Sequence, residues 1–328
     1  DNTPQDGAGH GTHVAGTIGA VGNNSVGVAG VNWQVSLMPL RFLGNDGSGS
    51  TSGAIAAINY ATMLRRSFGI NIVATNNSWG GGGYSSLLED AIRKSGEVGI
   101  TFVAAAGNEA SNNDSVARYP TNYNLPNVIS VAAIDDRDAL ASFSNYGATT
   151  VDIGAPGVSI YSTLPNNSYG TFSGTSMATP HVAGVIGLLA AAKPGITVAE
   201  VRAAILNSAV PIASLTGKTL SGGRLNARAA LESLGMAVQA STPAVGSIVS
   251  VAPASYTIDF SQNYSSSSVS ASDFTVNAIP ASSFVLVDAN TIRFSFASSP
   301  VTAQGSQTMA IAAGAIARSS DSQGITAW

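Results

Sequence analysis

Three histidines occur in 328 residues, and their placement beside glycine turns and a serine points to acyl chemistry. His10 and His13 lie in Gly9-His10-Gly11-Thr12-His13-Val14-Ala15-Gly16, and His181 follows Ser176 by five residues in Gly174-Thr175-Ser176-Met177-Ala178-Thr179-Pro180-His181. A serine hydroxyl is a weak nucleophile at neutral pH and needs an imidazole within hydrogen-bond reach to take its proton. The His-x-x-His spacing also suits half of a metal site, but the form His-Glu-x-x-His is absent and the carboxylates show no matching ligand spacing. Gly7, Gly9 and Gly11 do not make a dinucleotide loop, because its last glycine would fall at Thr12 or Val14 and no strand precedes it.

Both segments read as a tight glycine turn running into an Ala/Val/Gly-rich helix. Unpaired backbone N–H groups at such a start favour developing negative charge, and the small residues let the helix pack deep against a sheet. Residues 1 to about 235 alternate short apolar strands with helices: strand 35–40, loop 44–52 and helix 54–64, then strand 72–76, glycines 80–83 and helix 85–95. Further buried-type strands are expected at 101–105 and 128–133. This order predicts an α/β fold with a parallel sheet covered on both faces by helices. The Ala/Ser/Pro/Gly-rich stretch 237–246 reads as a linker. Beyond it, alternating residues at 256–260 and 291–296, with runs at 284–287 and 308–311, predict a small all-β module over 247–328. At most five strands are expected there, too few for a complete sandwich, so a module truncated at its C-terminus is expected.

Composition narrows the partners. Charged residues make up 10% of the chain, with 14 Lys+Arg against 18 Asp+Glu, so no basic surface is available for nucleic acid or anionic lipid. The absence of cysteine excludes disulfides and thiolate metal sites. Apolar runs such as 182–192 are too short and too Gly-rich to span a bilayer, and nothing at the start resembles a signal peptide. A first residue of Asp1 rather than Met leads us to expect a processed or partial sequence.

Residues 174–178 have the look of an α/β-hydrolase nucleophile elbow, yet those enzymes place their histidine far downstream of the serine; here only His181 follows, on what reads as the same helix. The combined motifs instead resemble the subtilisin-like serine peptidases over residues 1–236. That resemblance implies His10 as general base, Ser176 as nucleophile, and Asn108, in Ala104-Ala105-Ala106-Gly107-Asn108, as side-chain donor to the oxyanion. It makes Ser78-Trp79-Gly80 the segment that pairs with the substrate backbone. The pocket is then walled by those residues and Ala105, Ala106 and Gly107, with Arg118 at its base admitting acidic or polar side chains. His13 and His181 are read as structural. The family's triad aspartate ends a buried strand some tens of residues before the histidine, whereas only nine residues precede His10 and neither Asp1 nor Asp6 follows a strand. A chain lacking its N-terminal part is therefore expected, with a gap in its sheet, poor folding and little activity on its own.

The resemblance also implies structural calcium, which takes oxygen ligands: Asn24 with the carbonyls of Gly22, Val26 and Val28 in one loop, and Asp1, Thr3 and Gln5 in another. The C-terminal module resembles bacterial immunoglobulin-like domains. The expected protein is a secreted monomeric endopeptidase acting on protein or peptide substrates, without nucleic-acid partners or a membrane span. The alternative is a non-catalytic surface or adhesion protein that retains the scaffold.

Overall fold

The computed structural model, which describes residues 4–328, divides the chain into two compact units, Asp1–Leu231 and Glu232–Trp328. In the first, some helices begin at serine or threonine caps and others at glycine. Ser50 accepts from the Gly53 N–H to start α2 (Thr51–Phe68), after α1 (His10–Gly19), and Gly69 ends α2 at φ 67°, a left-handed position suited to glycine. Strand β1 (Ala74–Asn77) leads to α3 (Ser86–Glu97), capped by Ser85, then to β2 (Thr101–Ala105) and β3 (Val128–Ile134). Every residue of β2 and β3 is buried, which is why both read as mainly apolar runs, with Thr101 and Ser130 the polar members: helices cover both faces of a parallel sheet.

Next come β4 (Ile153–Pro156), a hairpin of β5 (Ile160–Leu164) and β6 (Ser168–Phe172), α4 (Thr175–Ala192) and α5 (Val198–Asn207). Strands β7 (Val210–Pro211) and β8 (Gly223–Arg224) complete a six-stranded sheet of order β1-β2-β3-β4-β8-β7, parallel except for the β7–β8 pair. In such sheets functional groups gather beyond the carboxyl ends of the strands. Here Ser78 follows β1 and Asn108 lies three residues past β2, with Asn77 in register with Ala104. The expected strand at 35–40 does not form. Val35, Leu37 and Met38 are each about 40% exposed, and among the described residues no strand pairs with them; an apolar extended run becomes a strand only where a ladder partner satisfies its backbone.

The second unit is built from strands. The first, β9 (Val238–Thr242), pairs antiparallel with β10 (Ser255–Phe260). The stretch expected to be a linker therefore carries a strand: Ala and Ser hide the period-2 signal that the partner strand makes good. Strands β11 (Phe274–Val276), β12 (Ile279–Pro280), β13 (Ser283–Leu286), β14 (Thr291–Ser295) and β15 (Met309–Ile311) follow. They form two sheets, β13-β14-β10-β9 and β12-β11-β15. Alternation places Tyr256, Ile258 and Phe260 inward beside Phe274, Ile292 and Phe294 in an aromatic core.

Candidate active site

Helix α1 starts at Gly9, whose φ of 82° makes the turn. The Asp6 carboxylate caps this start, accepting from the N–H groups of Ala8 at 3.0 Å, Gly9 at 2.8 Å and Thr12 at 2.7 Å and from the Thr12 hydroxyl at 2.7 Å. Burial alone would raise its pKa, but these bonds outweigh it and hold the carboxyl below the usual range. His10 opens the helix, half-buried. Desolvation pushes its pKa down, only partly opposed by the Asp6 charge, so the imidazole is neutral and able to accept a proton. Among the described residues no hydrogen bond engages its ring.

Ser176 occupies the equivalent place on α4, in the first turn, where backbone N–H groups lack intrahelical acceptors. Pro180 lies inside this helix and has no N–H to bond the carbonyl four residues back, which is that of Ser176. The Ser78 hydroxyl donates to that carbonyl instead, at 2.8 Å, and Ser176 Oγ donates to the Ser78 carbonyl at 3.3 Å. The end of β1 is thus tied to the start of α4 from both sides. Asn108 reaches the same turn. Its Oδ1 accepts from the Thr175 N–H at 2.9 Å and the Thr175 hydroxyl at 3.0 Å, which fixes the amide orientation and leaves the Nδ2 hydrogens to donate.

Two ties align α1 with α4. Near its middle, His13 is fully buried, stacks on Phe172 at 4.5 Å and sets Nε2 2.9 Å from the Ile160 carbonyl. Phe172 ends β6, four residues before Ser176. Farther along, Asn32 donates from its backbone to Ile18 of α1 and from its side chain to Gly184 of α4, at 2.9 and 2.6 Å. His13 thus fixes α1 to the strand that runs into α4, and Asn32 fixes the end of α1 to α4 itself. His181 is bonded within its own helix: its Nδ1 lies 3.0 Å from the Met177 carbonyl one turn back, and burial lowers its pKa.

The remaining residues singled out in the sequence divide. Ala105 and Ala106 are buried, and Gly107 donates to the Thr175 hydroxyl at 3.2 Å. Gly80 faces the Tyr119 carbonyl, which accepts from Gly81 N–H at 3.2 Å. The Trp79 ring turns inward, edge-on to Phe42 at 5.1 Å, with Nε1 donating to Asn77 Oδ1. Arg118 is not a lone cation, since its Nε lies 3.8 Å from Glu109 Oε2.

Residues 21–29 wrap a concavity of about 260 Å³, curled by left-handed Asn23, Ser25 and Gly27. Asn24 Oδ1 accepts from Val26 N–H at 3.0 Å; its second lone pair remains for a cation. The donors of Gly22, Asn24, Val26 and Val28 are neutral oxygens, which fit a hard cation in kind. Of the other loop's candidate ligands, only Gln5 is described. Asp1 and Thr3 lie outside the described residues, and the Gln5 carbonyl accepts from the Arg41 guanidinium at 2.5 Å, placing positive charge where a cation was expected. Among the described residues no three His, Cys, Asp or Glu side chains cluster as a metal site. Helix α4 is the one described helix long and apolar enough to cross a bilayer, and it is mostly buried in the first unit.

Thr175 lies within the serine motif, though its hold on Asn108 is seen only in the fold; Asn145, which holds the loop around Asn108 through partners 34 to 39 residues away, carries no local signal in the sequence.

Residues 1–236 match the subtilase family of peptidases. The chain is 44% identical over 232 residues to thermitase of Thermoactinomyces vulgaris, covering 71% of this chain and 78% of thermitase. It is 45% identical over 202 residues to subtilisin amylosacchariticus of Bacillus subtilis subsp. amylosacchariticus, covering 61% of this chain and half of that relative. Among solved structures, a cold adapted subtilisin-like serine proteinase aligns with a TM-score of 0.57 and 34% identity over 69% of this chain and 76% of its own. The chain belongs to the subtilase family of serine-type endopeptidases.

Proposed function

We propose that the protein hydrolyses peptide bonds of proteins through an acyl-enzyme on Ser176, residues 1–328 alone having little activity without a carboxylate to orient His10. His10 takes the Ser176 proton as Oγ attacks the carbonyl carbon, and returns it to the leaving amine. The oxyanion is met by the Ser176 backbone N–H and Asn108 Nδ2. The 3.3 Å contact from Ser176 Oγ to the Ser78 carbonyl is long for a hydroxyl bond, so little is lost when the hydroxyl turns to His10. An extended substrate pairs with the backbone of 78–80 by strand addition beyond β1, with its side chain before the scissile bond between that segment and 105–107. The observation that carries the reading is the Thr175–Asn108 pair, which spends the amide oxygen and reserves the amide hydrogens for a developing anion beside Ser176. The loop at 21–29 would hold calcium for rigidity alone. The extracellular location of the reading rests on membership of the subtilase family. Residues 1–236 are the peptidase domain and the β-rich residues that follow an accessory module.

The test is labelling with a fluorophosphonate probe. We expect covalent capture at Ser176 that Ser176→Ala abolishes and His10→Ala slows strongly. A correctly folded full-length protein that is not labelled would support the alternative, a scaffold without catalysis.

A further inference from the structure

The loop that carries Asn108 is framed by one buried side chain. Asn145, fully buried, accepts at Oδ1 from the N–H groups of Glu109 and Ser111, both at 2.9 Å. Its Nδ2 donates to the Ala106 carbonyl at 3.1 Å and to Glu109 Oε2 at 2.7 Å. Its backbone N–H donates to the Gly107 carbonyl at 2.9 Å. These bonds grip the chain immediately before and after Asn108. Gly107 permits the fit: its φ is 114°, and a Cβ there would fall 2.3 Å from Asn145 Nδ2.

We infer that Asn145 is a positioning residue for the oxyanion donor. Asn108 is then located by two independent holds, Asn145 on its backbone neighbours and Thr175 on its amide oxygen, so Nδ2 is aimed before substrate arrives. Preorganised donors are effective because no reorganisation is needed as charge develops. Truncating Asn145 would take the acceptor from the part-buried Glu109 and Ser111 N–H groups and let the segment relax. This inference rests on Asn108 serving the oxyanion, as proposed above.

A double-mutant cycle in the full-length protein tests it, with kcat and KM on a peptide substrate, fluorophosphonate labelling and thermal melting for Asn145→Ala, Asn108→Ala and the pair. We expect Asn145→Ala to lower kcat about tenfold or more at nearly constant KM, since a displacement near 1 Å can cost roughly a hundredfold. In the Asn108→Ala background the same substitution should cost less than about twofold, the signature of residues acting as one unit. Equal losses in both backgrounds would overturn the inference, because a merely structural asparagine has no reason to depend on Asn108. If Asn145→Ala does not fold, Asn145→Asp takes its place in the cycle; it keeps the acceptor for both N–H groups and replaces the donor facing Glu109. Labelled Ser176 with additive losses overturns the positioning role alone. Failure of the unsubstituted, folded protein to label overturns the peptidase reading and this inference with it.

Discussion

His10 is held below the usual imidazole pKa of 6.5 chiefly by burial, while the Asp6 charge pulls it upward. The sign of that pull makes a test. A nearby anion stabilises imidazolium, so Asp6→Asn, which keeps an acceptor for the α1 cap, should lower the His10 pKa further. The acid limb of the kcat/KM profile should then move to lower pH; a shift to higher pH would contradict the assignment of His10 as base. Arg118 raises a second question at this scale. Its partner Glu109 competes with any acidic substrate side chain, and because both are about half exposed the pair is worth only some 0.2–1 kcal/mol. Glu109→Gln should therefore raise kcat/KM up to about fivefold for substrates with Asp or Glu before the scissile bond. Arg118→Ala should remove the gain; a peptide-library profile unaltered by either change would refute the role. His10, Ser176 and Asn108 are legible in the sequence because each sits in a contiguous motif. Asn145 is not, because its partners lie 34 to 39 residues away, and one asparagine among many looks the same until the loop is folded.

Between α1 and the serine turn lies the β5–β6 hairpin, which spaces one against the other. Its Ser162 and Thr163 hydroxyls donate to the His13 and Thr12 carbonyls at 2.7 and 2.8 Å, and it runs directly into the residues before Ser176. The close approach depends on Gly16. A Cβ there would lie 2.2 Å from Thr163 Oγ1, 2.5 Å from Ser162 Oγ and 3.0 Å from the Thr163 backbone nitrogen. Gly→Ala in a helix ordinarily gains up to about 1 kcal/mol; Gly16→Ala should instead cost roughly 1–3 kcal/mol by overpacking, and lower the melting temperature together with the rate of Ser176 labelling. A stabilised variant would show that the hairpin is not held this way. Element legibility follows burial. β2 has the bounds expected of it because both faces are covered, giving a buried run that is apolar after Thr101. The hairpin, with sequences Ile-Tyr-Ser-Thr-Leu and Ser-Tyr-Gly-Thr-Phe, escapes a reading by apolar runs because its polar side chains serve α1 rather than a core. β9 has the composition of a linker because Gln, Ala and Ser define a strand only when β10 is beside them.

Across the whole chain, stability is divided between two units, each with an aromatic or aliphatic core of its own. Calcium should act on the first. At a hundredfold excess over its dissociation constant, a native-state ligand adds about 2.7 kcal/mol, which for a unit of this size raises the melting temperature by roughly 5–11 °C. Asn24→Ala should abolish most of that rise, and melting indifferent to both calcium and chelator would remove the ion from the account. The second unit answers to different residues. Every member of its buried cluster falls between Met236 and Ile325, and within it Phe274 stacks on Phe294 at 5.1 Å, both fully buried. Phe294→Ala should cost about 3–5 kcal/mol, all of it within this unit because no side chain of the first unit belongs to the cluster. Calorimetry should then resolve two transitions, one falling by some 10 °C or more in the variant and the other unmoved. Retention of Ser176 labelling on heating should follow the unmoved one. A single transition that shifts as a whole, taking labelling with it, would mean that the two cores unfold as one cooperative body.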